Sequence, residues 1–209
     1  MEGGYLTLGR FGGAPVRVHW TMPLGAFAFC GFRWAPAAWG AFLLLILVHE
    51  IGHAVMVRAH RLHVAAIDVH GIGGVCHWFG TPSPVGRALI AWGGVFGQLV
   101  ILAIALPVSL LALPPLPPWW AAQLLDAFIY TNLYLMAINL LPVPGFDGAE
   151  AWKLFGKNGL PAWWRRRNLL RTKPKGVVRS MPVHRPFRGE DILEKTPTSQ
   201  KRPPPHMLN

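Results

Sequence analysis

Charge is what this 209-residue chain has least of: 14% of its residues are Asp, Glu, Lys or Arg, against 52% apolar. An ordinary soluble domain carries about a quarter charged residues, so a soluble enzyme of the usual kind is excluded. Acidic side chains are scarcer still, 9 against 20 basic, and the imbalance is local. Residues 1–156 hold 7 basic and 6 acidic side chains, whereas 157–209 hold 13 and 3. The pI of about 10.7 therefore describes a basic tail on a nearly neutral body, and no nucleic-acid partner is expected from it. Cysteine is nearly missing, with only Cys30 and Cys76. Two distant thiols make no disulfide framework and match no Cys-based zinc spacing, so both are expected to be reduced and buried.

Long apolar sequence is what the chain has in abundance. A bilayer-spanning helix needs about 20 predominantly apolar residues. Four runs qualify or nearly do: about Val18 to Phe32, Ala35 to Val57, Ala88 to Leu113, and Trp119 to Leu141. The first is short, about 22 Å as a helix. A signal peptide is the rival reading there, but Phe29 stands before Cys30 where a cleavage site wants a small residue. The expected fold is an all-α polytopic membrane protein of about four transmembrane helices. A small β-hairpin-like loop should lie between helices two and three, where Val64, Ile67, Val69, Ile72 and Val75 alternate with turn glycines. The expected organisation is a cytoplasmic segment 1–17, a membrane-embedded core 18–156 and a basic, largely disordered cytoplasmic tail 157–209. Arg10 and Arg17, then Arg58, Arg61 and Arg87, then the tail put positive charge on one side, so both termini should be cytoplasmic. Trp163 and Trp164 followed by Arg165 to Arg167 suit an anchor at the lipid headgroups.

One apolar run is interrupted by His49-Glu50-Ile51-Gly52-His53. Four residues apart on a helix, the two imidazoles project from one face and can take two positions of a tetrahedral zinc ion. Glu50, about 100° round the helix, can reach a water there without being a ligand, which is what a general base requires. Such groups inside a membrane helix are costly unless they bind something. A third ligand is left open among Asp147, Asp68, His70, His77 and Glu150, with Asp126 at the wrong end of its helix. Asp147 follows the broken stretch Pro142-Val143-Pro144-Gly145-Phe146, and such backbone at membrane depth lines a protein-enclosed or wet cavity. Its competing role is a helix N-cap.

These residues resemble the site-2 protease family of intramembrane zinc metalloproteases, over roughly Val16 to Phe155. The likeness rests on the His-Glu-Ile-Gly-His motif and on Asn139-Leu140-Leu141-Pro142-Val143-Pro144-Gly145-Phe146-Asp147-Gly148. Weaker echoes are Val16 to Trp20 and the turn Ile72-Gly73-Gly74. The resemblance implies one Zn2+ per chain held by His49, His53 and Asp147, with Glu50 as catalytic base. It also implies a transmembrane protein substrate, regulated intramembrane proteolysis, and Asn139 as a residue holding substrate or supporting the site. The compact form expected has neither a PDZ nor a C-terminal regulatory domain, so substrate selection would come from the membrane core or from a regulatory membrane partner. Where the family carries Gly-Pro-x-x-Asn, this chain has Gly93-Gly94-Val95-Phe96-Gly97-Gln98. Gln98 is either a longer-armed amide at the site or a packing residue beside glycines that let helices approach closely.

Two further readings complete the expectation. Segment 65–78, including Gly73 and Gly74, can add an unwound substrate as an extra strand, or is only an amphipathic loop. His60, His63, His70 and His77 match no ligand pattern and are expected as solvated interfacial residues. Asn132 and Asn139 share a helix face. The expected location is a prokaryotic plasma membrane. A different class of protein, an inactive membrane scaffold or adaptor that binds a partner helix, would use the same groove without hydrolysis.

Overall fold

The computed structural model describes residues 3–111, 118–157, 159, 162–165 and 167; most of the basic tail lies outside the described residues. Two antiparallel strands, β1 (Tyr5–Phe11) and β2 (Ala14–His19), lead to a short helix α1 (Met22–Phe29) and a long one, α2 (Pro36–Ala59). A hairpin of β3 (His63–His70) and β4 (Gly73–Phe79) precedes α3 (Pro84–Leu111). Helix α4 (Trp119–Asp126), a π-helical turn (Ala127–Thr131) and α5 (Asn132–Asn139) form one continuous rod. After a loop come α6 (Gly148–Ala151) and a 3-10 turn (Trp152–Phe155).

The helix boundaries have local chemical causes. Pro36 and Pro84 occupy first-turn positions, where the missing N–H is no loss. The Ser83 hydroxyl accepts the Gly86 N–H at 3.0 Å, capping α3. Among the described residues, three helical segments, Pro36–Ala59, Pro84–Leu111 and Trp119–Asn139, are long and apolar enough to cross a membrane.

The fold is not all-α. The four strands form one sheet in the order β1-β2-β3-β4, antiparallel except for the parallel β2/β3 pair. The expected hairpin between helices two and three is present, but it is half of a sheet whose other half is the N-terminal hairpin. Val16-Arg17-Val18-His19 alternates with the period of a strand, and Val16 and Val18 pair with Ile67 and Val69. The first apolar run is therefore a strand followed by a helix of eight residues, not a helical span.

Packing fixes where this sheet lies. Ala14, Val64 and Ile67 share a buried cluster with Ala54 and Val57 of α2 and Ile90 of α3. Val69 shares another with Phe42, Leu45 and Ile46 of α2, Met22 and Ala26 of α1, and Leu135 of α5. Strand β3 thus runs back along α2, antiparallel to it, over about 18 Å of helix. Strand β2 runs beside it and hands the chain to α1 at the level of Phe42. Helix α1 is seated by the hairpin tip: the Thr21 hydroxyl accepts the Gly71 N–H at 3.2 Å. Gly25 faces the Gly71 backbone so closely that any side chain would collide with its carbonyl.

Candidate metal centre

Helices α2 and α3 approach through glycine. A Cβ on Gly52 would strike the Gly93 carbonyl, and one on Gly97 would lie 2.6 Å from the Val48 carbonyl oxygen. This brings α3 against the His-bearing face of α2. A Cβ on Gly94 would enter the His49 ring, so that glycine forms the floor on which the imidazole rests.

Both rings are oriented from behind by α3. His53 Nδ1 donates to the Ile90 carbonyl at 2.7 Å, and His49 Nδ1 donates to Gln98 Oε1 at 3.0 Å. A carbonyl oxygen only accepts, so Nδ1 carries the proton in each ring and Nε2 keeps its lone pair. The two Nε2 atoms lie 3.0 Å apart, and Asp147 Oδ2 lies 2.9 Å from one and 3.1 Å from the other.

Asp147 is delivered by the segment after α5. Gly145 takes φ +100°, and Gly148 packs against the carbonyls of Leu140 and Leu141 too tightly for a side chain. Two indoles pin this segment: Trp152 Nε1 donates to the Leu140 carbonyl at 2.7 Å, and Trp92 Nε1 of α3 donates to the Ala151 carbonyl at 3.0 Å. Asp147 stands at the N-cap position of α6 without a side-chain cap bond.

The donor set fits a zinc ion. Two imidazole lone pairs and a carboxylate oxygen converge with nothing but one another to face, which a divalent cation resolves. Atoms bound at about 2.0 to 2.1 Å to one tetrahedral ion lie about 3.3 Å apart, so the observed triangle needs to open by only a few tenths of an ångström. His49, Glu50 and His53 also each present a ligand-type atom within 4.8 Å of the others.

Glu50 is buried beside this triangle, and Gly74 lies flat on it: a Cβ there would be 2.5 to 2.7 Å from Glu50 Cγ, Oε1 and Cδ. His49, Glu50, His53, Gly73, Gly74, Gln98, Asn139 and Asp147 all line one cavity of about 930 Å³. Of the other candidate ligands, Asp68 is engaged elsewhere. Arg17 Nε and Nη2 each reach one of its carboxylate oxygens at 2.6 Å, and His77 Nε2 lies 3.2 Å away. Glu150 pairs with Lys153, Asp126 is exposed, and His70 lines a separate groove beside α1. His60 donates to the Met56 carbonyl. Both cysteines are free and only half-buried. Burial, then the Glu50 charge, push the Cys76 thiol up to about 12, so it does not compete as a thiolate.

Sequence reasoning missed Trp92, Trp152 and the role of Asn132, which sits fully buried and donates to the Gln98 backbone carbonyl at 3.0 Å. A Trp in an apolar run carries no mark that separates lipid contact from a hydrogen bond to a distant loop.

No protein-family model matches the chain. It is 27% identical over 187 residues to the "Putative zinc metalloprotease Rip3" of Mycobacterium tuberculosis, in strains Erdman and H37Rv. That alignment covers 77% of this chain and 44% of the relative, so the chain spans under half the length of these curated relatives. Among solved structures, the site-2 protease from Methanocaldococcus jannaschii shares the fold, with a TM-score of 0.55, 21% identity and 79% of both chains covered.

Proposed function

We propose, starting from a likeness to the site-2 protease family that holds in sequence and in fold, that this chain is a zinc metalloendopeptidase. It hydrolyses peptide bonds in or near transmembrane segments of membrane-protein substrates. The observation that carries this reading is the triangle of His49 Nε2, His53 Nε2 and Asp147 Oδ2 beside the buried Glu50, in one cavity.

One zinc per chain would be held by His49, His53 and Asp147, where it would supply Lewis-acid polarisation of a peptide carbonyl and acidify a water. Glu50 accepts the water proton at its carboxylate and returns it to the leaving amine. The Gly74 backbone keeps Glu50 from swinging away from the triangle. Asn139, Gly73 and Gly74 line the same cavity and support the bound substrate. Strand β4 is an edge strand, and Ile72 to Cys76 form one cavity wall, which suits an unwound substrate added as a fifth strand.

The core lies in a bilayer, with α2, α3 and the α4-to-α5 rod crossing it. Strand β2 and α1 together make the fourth passage, about 20 Å of strand plus 12 Å of helix, near the thickness of the hydrocarbon core. Four passages keep both termini on the basic, cytoplasmic side, in a prokaryotic plasma membrane.

Glu50→Gln tests the reading. Cleavage of a reporter transmembrane segment that wild type cuts in proteoliposomes should fall by about 10² to 10⁴-fold, while zinc content stays unchanged. A scaffold or adaptor would keep its activity in the cell with Glu50→Gln, and that result would overturn the protease.

A further inference from the structure

Helix α3 orients the two imidazoles by different means. His53 leans on a backbone carbonyl, Ile90, which no substitution removes. His49 leans on a side chain, Gln98, at the position where this chain departs from the family pattern. Gln98 is 1% exposed and lines the cavity. Its own helix segment is gripped in turn, because Asn132 Nδ2 donates to the Gln98 backbone carbonyl at 3.0 Å. The π-helical turn Ala127–Thr131 ends immediately before Asn132. Such a turn inserts one residue into a helix and rotates the residues after it, and it recurs at functional sites. The first residue after this turn is Asn132, 0% exposed and aimed across the helix interface.

We infer that Gln98, braced by Asn132, is a positioning residue for the metal centre: its amide oxygen fixes the tautomer and ring plane of His49 so that Nε2 points at the ion. The inference rests on the proposed zinc site and adds a component to it. A packing role alone does not account for the pattern. A residue that only filled the α2/α3 interface would be apolar, since burying an amide costs free energy unless it is bonded. Gln98 bears that cost at one end of its amide, because its Nε2 is buried without a hydrogen-bond partner among the described residues, as is Asn132 Oδ1. The single bond its side chain does make goes to a zinc-ligand candidate. An acceptor behind a ligating imidazole typically accounts for about 10 to 100-fold in metal affinity.

The test uses the full chain in detergent, with Zn2+ as the probe and a chromophoric chelator as competitor, comparing wild type with Gln98→Met and Gln98→Glu. Methionine keeps length and volume but loses the oxygen acceptor; glutamate keeps it. Gln98→Met should bind zinc about 10 to 100-fold more weakly, and Gln98→Glu should stay within about threefold of wild type. The visible spectrum of the Co2+-loaded protein should change for Gln98→Met and not for Gln98→Glu. Equal affinity in Gln98→Met and wild type would overturn the positioning role and leave the zinc site standing. Equal weakening in both variants would also overturn it, assigning Gln98 to packing. A folded wild type that holds no zinc would bring down the zinc reading itself and this inference with it.

Discussion

Replacing Gly74 with alanine should separate the base from the metal. The new Cβ would lie 2.5 to 2.7 Å from three atoms of the Glu50 side chain, where carbon atoms need about 3.5 to 4.0 Å. Glu50 or strand β4 must therefore give by about 1 Å. Gly74 pairs with Val69 in the β3/β4 ladder, so the strand is tied and the carboxylate is the freer party. A shift of about 1 Å at a reacting group can cost about 10²-fold in rate, and that loss should fall on kcat for cleavage of the reporter segment. The three nearest atoms to the new Cβ all belong to Glu50 and none to His49, His53 or Asp147, so zinc content in the same preparation should match wild type. Gly9→Ala in β1 is the matched control, since a Cβ there meets nothing within 4 Å. Cleavage by Gly74→Ala within about twofold of wild type, in a folded protein, would refute the placement of Glu50 as base.

Three other outcomes are expected. Gly52→Ala should destabilise by about 1 to 3 kcal/mol through overpacking against Gly93, lowering Tm by several degrees in a detergent melt; an unchanged Tm would show that the two helices are not in close contact. Arg17→Leu strips the bidentate partner from the buried Asp68, leaving His77 at 3.2 Å, and should cost about 1 to 3 kcal/mol, whereas Arg17→Leu with Asp68→Leu should recover much of it and keep zinc; loss of zinc in the double variant would return Asp68 to the ligand set. Trp152→Phe removes one hydrogen bond to the Leu140 carbonyl, a change of about 1 kcal/mol, and zinc affinity should fall because the Asp147 segment is less firmly held; unaltered affinity would show that Trp92 suffices.

The site was more legible in the sequence than the fold around it. His49 and His53 could be paired because helical spacing puts them on one face, whereas the break at Pro142 to Gly145 left Asp147 open between ligand and helix cap, and only the family resemblance favoured it as a ligand. What spacing could not supply is the orienting layer: Ile90 acts through its backbone, and Asn132 is aimed by a π turn that leaves no signal in composition. The N-terminal half of the sheet was missed for a physical reason. Hydropathy in the run from Val18 to Phe32 is the same whether it is strand or helix, and the period-two signal of Val16 to His19 is only four residues long. Its pairing with Ile67 to Val69 is a contact across about fifty residues, which no local pattern reveals. Asp68 stayed open as a ligand because its partner, Arg17, is equally remote in the chain.

The central claim is a three-ligand zinc site, and zinc per chain tests it most directly. Wild type, His49→Ala and Asp147→Ala, purified side by side in detergent, should give about one zinc in wild type and a sharp loss in both variants. Full zinc in a folded Asp147→Ala protein, or none in a folded wild type, would contradict it.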